Sequence, residues 1–304
     1  MGSQGVFMNN GDLKIWSVEG NHQWLDGGAM FGSVPRALWS RWYQPDDQGR
    51  IRLACRCLLV KFGDKTILCE TGIGAFMEPK LRERFGVESD EHLLLQNLKK
   101  LNVAPDDIDY VILSHLHFDH AGGLLPAYDQ LRQPVTADQL LFPKATYIAG
   151  DDAFARALQP HARDRASFIP GLATALEDSG RLQLVHRKAP KSELGDAFGF
   201  FFTDGHTPGQ MHTVVHGPTQ SVVFAGDLIP GTAWVHLPVT MGYDRFPEKL
   251  IDEKRDLYER FADRPWSLFY THDPELAGSR VGFDDTKKKY IPVEEVAEFS
   301  GLVL

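Results

Sequence analysis

The 304-residue sequence has few cysteines, no long apolar run and no block of lysine or arginine. The three thiols, Cys55, Cys57 and Cys69, are an odd number, and a zinc site on Cys55 and Cys57 would need further thiolates or imidazoles in range. Two apart in a strand, this pair shares a face and reads as small buried apolar residues. Without a run of about 18 apolar residues, nothing reads as a membrane span. Met1 to Asn10 lacks the basic start and apolar stretch of a signal peptide, so a cytoplasmic location is expected. A net charge of −9 with no basic stripe disfavours nucleic acid as a partner. No low-complexity linker divides the chain, and residues 1–304 read as one domain.

What is present is a soluble globular composition, 43% apolar and 24% charged, able to fill a large core. It is organised around Ser114-His115-Leu116-His117-Phe118-Asp119-His120-Ala121-Gly122-Gly123. Four metal-ligand side chains follow directly on Val111-Ile112-Leu113, which reads as a short buried strand. In an extended segment His115, His117 and Asp119 point the same way, and His120 joins them if the chain bends after Asp119. Gly122-Gly123 is expected to permit that turn. Imidazoles and a carboxylate suit zinc, iron, manganese or cobalt.

Around this motif the chain reads as alternating strands and helices. Residues 13–18 alternate apolar and polar, as a half-buried strand does. Gly20 to Tyr43 shows little period and carries Trp24, Met30, Phe31, Trp39, Trp42 and Tyr43. Residues 1–45 are therefore read as an N-terminal strand and an aromatic loop that packs the core, a substrate or a dimer partner. Residues 52–61 and 65–70 form a hairpin through Gly63-Asp64. A helix is expected from Asp90, as its cap, to Leu101. Further strands are expected at 145–149, 181–185 and 199–203, with helices near 151–158 and 166–177.

The second half adds ligand types at strand ends. Phe200-Phe201-Phe202 leads to His206, Ser221–Ala225 to Asp227, and Trp266–Tyr270 to His272, with a helix over 247–261 between the last two. The histidines at 22, 92, 161, 186, 212, 216 and 236 read as surface or hydrogen-bonded core residues.

The spacing His-x-His-x-Asp-His, completed by His206, Asp227 and His272, resembles the metallo-β-lactamase superfamily of metal hydrolases. Leu25 to Gly32, Gly226 to Pro230 and Met241 to Asp244 are similar to its quorum-quenching lactonases of the YtnP type. The methyl-parathion-hydrolase-like enzymes share the ligand pattern. The resemblance implies an α/β fold, an αββα sandwich of two mixed β-sheets with helices outside. It implies two divalent ions, zinc first and iron, manganese or cobalt as alternatives. His115, His117 and His206 would hold one, Asp119, His120 and His272 the other, and Asp227 would bridge them. Water ionised between the ions would open a lactone ring of N-acyl-homoserine type, with Asp119 returning a proton to the leaving alkoxide.

Met30, Phe31, Phe118 and Tyr243 are the expected substrate contacts, for a small-molecule ester or lactone. Some relatives carry a tyrosine three residues after the bridging aspartate. Here that residue is Pro230, and Tyr243 or a water would replace its hydroxyl. At Leu68-Cys69-Glu70-Thr71-Gly72, Glu70 stands where relatives carry aspartate. The alternative substrates are phosphotriesters or aryl esters on the same site. A mononuclear iron persulfide dioxygenase fits less well, because such members lack the second ligand set. A nuclease fits less well because the chain is acidic.

Overall fold

The computed structural model describes residues 13–304. The reading of Met1 to Asn10 as free of a targeting signal lies outside these residues. The strands of the first half are β1 (Leu13–Asp26), β2 (Arg50–Phe62), β3 (Lys65–Cys69), β4 (Tyr110–Leu113), β5 (Thr146–Gly150) and β6 (Leu182–Val185). The second half adds β7 (Phe198–Thr203), β8 (Gln210–His216), β9 (Ser221–Phe224) and β10 (Trp266–Phe269). β11 (Gly278–Asp284), β12 (Lys289–Val296) and β13 (Ser300–Val303) complete the set.

They form a seven-stranded sheet, β13-β1-β2-β3-β4-β5-β6, and a six-stranded sheet, β12-β11-β10-β9-β8-β7. Both are mixed. β3 to β6 run parallel and β13, β1, β2 and β3 pair antiparallel. In the other sheet only β9 and β10 are parallel.

The period-two rule decides which layer each side chain enters. Ile112 of β4 faces the second sheet, among Leu58, Val60, Ile148, Val222 and Phe224. Its neighbours Val111 and Leu113 face outward, under Leu94 and Leu98 of the helix Leu93–Lys100 and Leu172 and Leu176 of the helix Leu172–Asp178. The second sheet is covered by Leu250, Leu257 and Tyr258 of the helix Pro247–Arg260. Helix, sheet, sheet, helix is the expected sandwich. Cys55 and Cys57 share the helix-covered face, Cys69 the face between the sheets, and all three are buried free thiols.

Several expected elements differ. β1 continues to Asp26, because a bulge at Gly20 and Asn21 lets it stay paired with β2 beyond Glu19. A Cβ on Gly20 would lie 2.4 Å from the Cys55 carbonyl oxygen, so the bulge requires glycine. The loop reading therefore shortens to residues 27–43, which carry the short helices Gly27–Phe31 and Arg36–Trp39. Asp90 does not cap the helix that begins at Leu93; it pairs with Arg82 at 2.8 Å. The helix expected from residue 166 starts at Leu172, after a 3-10 turn at Arg165–Ser167. β8 was not expected, since all but its last residue are buried and it shows no alternation. β11 to β13 were not expected either, being half-exposed and poor in apolar runs.

Candidate metal centre

β4 delivers the main motif, but the chain turns earlier than expected. His117 sits in extended backbone at the N-terminus of the helix Phe118–Ala121, so the bend falls before Phe118 and not after Asp119. His115 and His117 lie just past the end of β4 and converge, Nε2 of the first 2.9 Å from Nδ1 of the second. Asp119 and His120 reach the centre from the first helical turn. Gly122 and Gly123 keep ordinary backbone angles, and close packing is what requires them. A Cβ on Gly123 would meet the Thr71 carbonyl oxygen at 2.0 Å.

His206 follows β7, Asp227 follows β9 in the turn Gly226–Leu228, and His272 follows β10. The ends of strands from both sheets thus converge on one place. Ligand atoms of His115, His117 and His206 lie within 4.8 Å of one another, and so do those of Asp119, His120 and His272. Asp227 stands between the two groups. Its Oδ2 is 3.2 Å from His206 Nε2, and its Oδ1 is 3.3 Å from His120 Nε2 and 3.2 Å from His272 Nε2.

The outer nitrogens are fixed by oxygen partners, which aims the inner ones at the centre. His120 Nδ1 lies 2.7 Å from Glu70 Oε2, His206 Nδ1 2.9 Å from Asp244 Oδ1, and His272 Nδ1 2.6 Å from the Ala54 carbonyl. His115 Nδ1 contacts Ser114 Oγ at 2.9 Å, and that hydroxyl donates to Glu70 Oε1. Glu70 therefore orients a histidine of each group, and it does so from left-handed backbone, φ 63°. Its extra methylene relative to aspartate is used in that reach.

These residues fit divalent cations. His117 Nδ1 faces His115 Nε2 at 2.9 Å and His206 Nε2 at 3.3 Å, His272 Nε2 faces His120 Nε2 at 3.3 Å, and Asp227 Oδ1 is buried without a hydrogen-bond partner among the described residues. Facing lone pairs repel unless a proton or a cation lies between them. Burial and neighbouring imidazoles hold His115 and His117 well below the usual histidine range, in the neutral form a cation needs. Burial also opposes charge on His120, but Glu70, Asp227 and Asp119 outweigh it and lift the imidazole well above that range. Burial disfavours the Asp227 carboxylate, yet His120, His272 and His206 hold it strongly ionised. Cation binding at such a cluster releases protons.

A cavity of about 640 Å³ opens onto the centre at His117, Asp119, His206, Asp227 and His272. Met30 and Phe118 line it, with Trp24, Phe85 and Met241, and Tyr243 stands half-exposed on its rim. Phe31 corrects the expectation. It is fully buried, stacked between Trp39 (5.7 Å) and Trp234 (4.6 Å), and supports the wall from behind without facing the cavity. Pro230 is buried and its carbonyl accepts the His272 N–H at 2.8 Å, so position 230 fixes a ligand's backbone. His212 is a core residue stacked on Phe201, pushed down to about 3 by burial.

One contact had no signal in the sequence. Gln23, fully buried on β1, donates from Nε2 to Asp119 Oδ2 at 2.7 Å. Asp244 was noticed only within a similar segment, not as the partner of His206.

A profile of the metallo-beta-lactamase superfamily matches residues 50–272, a span that runs from the start of β2 to His272. The chain belongs to the metallo-β-lactamase superfamily. An N-acyl homoserine lactonase of Bacillus thuringiensis is 33% identical over 85 residues, 24% of this chain. That match spans a third (33%) of the Bacillus relative's length. The N-acyl homoserine lactonase AiiB of Agrobacterium fabrum is 28% identical over 248 residues, 75% of this chain and 82% of that one. The crystal structure of a probable metal-dependent hydrolase from Staphylococcus aureus superposes with a TM-score of 0.80 at 27% identity. It covers 94% of this chain and 99% of the other.

The role of Glu70 in that centre can be measured. Glu70→Gln keeps one acceptor where two are used, so either Ser114 or His120 loses its partner. Removing such an outer partner weakens metal affinity by about 10- to 100-fold. Competition with a chromogenic chelator should show a loss of that size, and unchanged affinity would remove Glu70 from the account.

Proposed function

We propose that this chain is a metal-dependent hydrolase that opens lactone rings of the N-acyl homoserine type at a two-metal site, with residues 13–304 acting as one unit. The observation that carries the reading is the Asp227 carboxylate, within 3.3 Å of His206 on one side and of His120 and His272 on the other. His115, His117 and His206 would hold one divalent ion, and Asp119, His120 and His272 a second. Zinc suits this donor set, as do iron, manganese and cobalt. When bound, such a pair supplies Lewis acidity that ionises water near neutral pH and polarises a carbonyl oxygen. Asp227 is the anion that keeps two cations from repelling each other.

The chain's own groups do the rest. Gln23 pins Asp119 Oδ2 and so leaves the carboxylate one orientation, with Oδ1 3.7 Å from His120 Nε2. From there Asp119 returns a proton to the alkoxide that leaves when the ring opens. Tyr243 is the hydroxyl on the rim, the position 230 side chain being withdrawn. Its pKa is raised by burial and by Asp119 and Asp26, so it stays a neutral donor for the substrate carbonyl.

Met30, Phe118, Trp24, Phe85 and Met241 form an apolar wall for an acyl chain. Each methylene buried there contributes about 0.8 kcal/mol, roughly fourfold in kcat/KM. A series of acyl lactones followed by proton release should rise with chain length until the wall is filled, and Phe118→Ala should flatten the series. The names of the curated relatives support the lactone over other esters. Phosphotriesters are the second reading, favoured by the missing tyrosine at Pro230. If paraoxon-like triesters turn over and no acyl lactone does, the second reading replaces the first.

A further inference from the structure

We propose that Arg163 and Arg245 form an oxyanion subsite on the rim of the cleft, selecting substrates whose arm ends in a carboxylate or a phosphate monoester. The inference rests on the ester or lactone reading of the centre and adds the chemistry of the far end of the substrate. Both guanidiniums line the main cavity, and both also line an adjoining one of about 680 Å³. They are set on the same stretch of rim. Arg163 Nη2 donates to the Gly242 carbonyl at 2.8 Å, and Arg245 Nη1 lies 3.5 Å from His161 Nδ1. The same His161 nitrogen accepts the Arg163 backbone N–H at 3.1 Å.

The carboxylates next to them in sequence are committed elsewhere. Asp164 accepts from Arg156 Nη2 at 2.8 Å and Nε at 3.0 Å. Asp244 is held by His206 Nδ1 at 2.9 Å and by the Met241 N–H at 2.6 Å. Among the described residues Arg245 Nε is buried with no hydrogen-bond partner, a donor left unspent. A buried unpaired donor costs free energy until a ligand supplies the acceptor. Guanidinium forks match carboxylate and phosphate oxygens bidentately, so the ligand class follows from the donors. The chain as a whole carries a charge of −9, so two arginines with no carboxylate partner among the described residues, set beside the cleft, run against its overall field. A neutral acyl chain would use the apolar wall and leave this pair idle.

The test uses matched substrates that differ only at the end of the arm: methyl, carboxylate or phosphate monoester. One set is built on homoserine lactone and one on a 4-nitrophenyl ester. In at least one anionic member, kcat/KM should exceed that of the methyl member by about tenfold or more, the scale of a charge-assisted hydrogen bond. The larger of the two ratios says which oxyanion is preferred. The ratio should shrink with added salt and fall toward one in Arg245→Met and Arg163→Met, while Arg245→Lys keeps part of it. Salt dependence is read on the wild-type protein, so an unstable variant does not stop the test. If the lactone set is inert and the aryl ester set reacts, the lactone reading fails and the aryl ratio still judges the arginines. Ratios near one for both anions in wild-type protein overturn the proposal.

Discussion

Asp227→Ala should abolish turnover and empty the proposed metal centre in the same step. Asp227 is buried, and its two oxygens lie within 3.3 Å of His206 on one side and of His120 and His272 on the other. Deleting them leaves no anion between the two histidine groups, and two divalent charges about 3.5–4 Å apart then repel. Elemental analysis should find metal lost from both positions, and activity should drop by on the order of a thousandfold or more. Folding should survive, because the residue sits at a strand end and not in the packed layer between the sheets. Metal content and activity near wild type would remove Asp227 from its bridging role.

Asp119→Asn separates chemistry from binding. Gln23 donates to Oδ2, so the variant's amide oxygen keeps that bond, on the His272 side, and turns its NH2 toward His120. That group neither coordinates a cation nor transfers a carboxyl proton. Metal should be retained better than in Asp227→Ala, since His120, His272 and Asp227 remain. Turnover should fall by about 10²- to 10⁴-fold, the usual contribution of a positioned acid or base. The loss should be greatest for substrates with poor leaving groups, and an activated aryl ester should recover part of the rate. Equal losses for alkyl lactones and activated esters would contradict the proton-donor role. Gln23→Met should show a smaller loss of the same kind, in kcat more than in KM, because it frees the same carboxylate to rotate.

The ligand set was legible because it is dense and local. Four of the seven residues sit within six positions, and the other three each follow an apolar strand. The apolar run of β4 reads as a buried strand, and the spacing of two puts Cys55 and Cys57 on one face, as found. What failed was whatever depends on contacts far apart in the chain. The Gln23–Asp119 bond joins residues 96 apart and exists because the bulge at Gly20 and Asn21 re-aims β1. Phe31 reads as a cleft residue by its neighbours in sequence, but Trp39 and Trp234 take both faces of its ring. β8 lacks alternation because it lies in the middle of a sheet covered on both sides, and its His212 is held by Thr203 at 2.7 Å and by Phe201. The bend at His117 was misplaced for a different reason. The helix starts at Phe118, and the close approach of Gly123 to the Thr71 carbonyl, a contact far apart in the chain, fixes the path that follows.

A two-metal centre that opens lactones can be tested in one titration. Protein stripped of metal is supplied with zinc or cobalt in steps, and hydrolysis of a medium-chain N-acyl homoserine lactone is followed at each step. Activity should rise to a plateau at two equivalents per chain and stay near background below one. Full lactone turnover at a single equivalent, or no lactone opened at any metal content, would contradict the account.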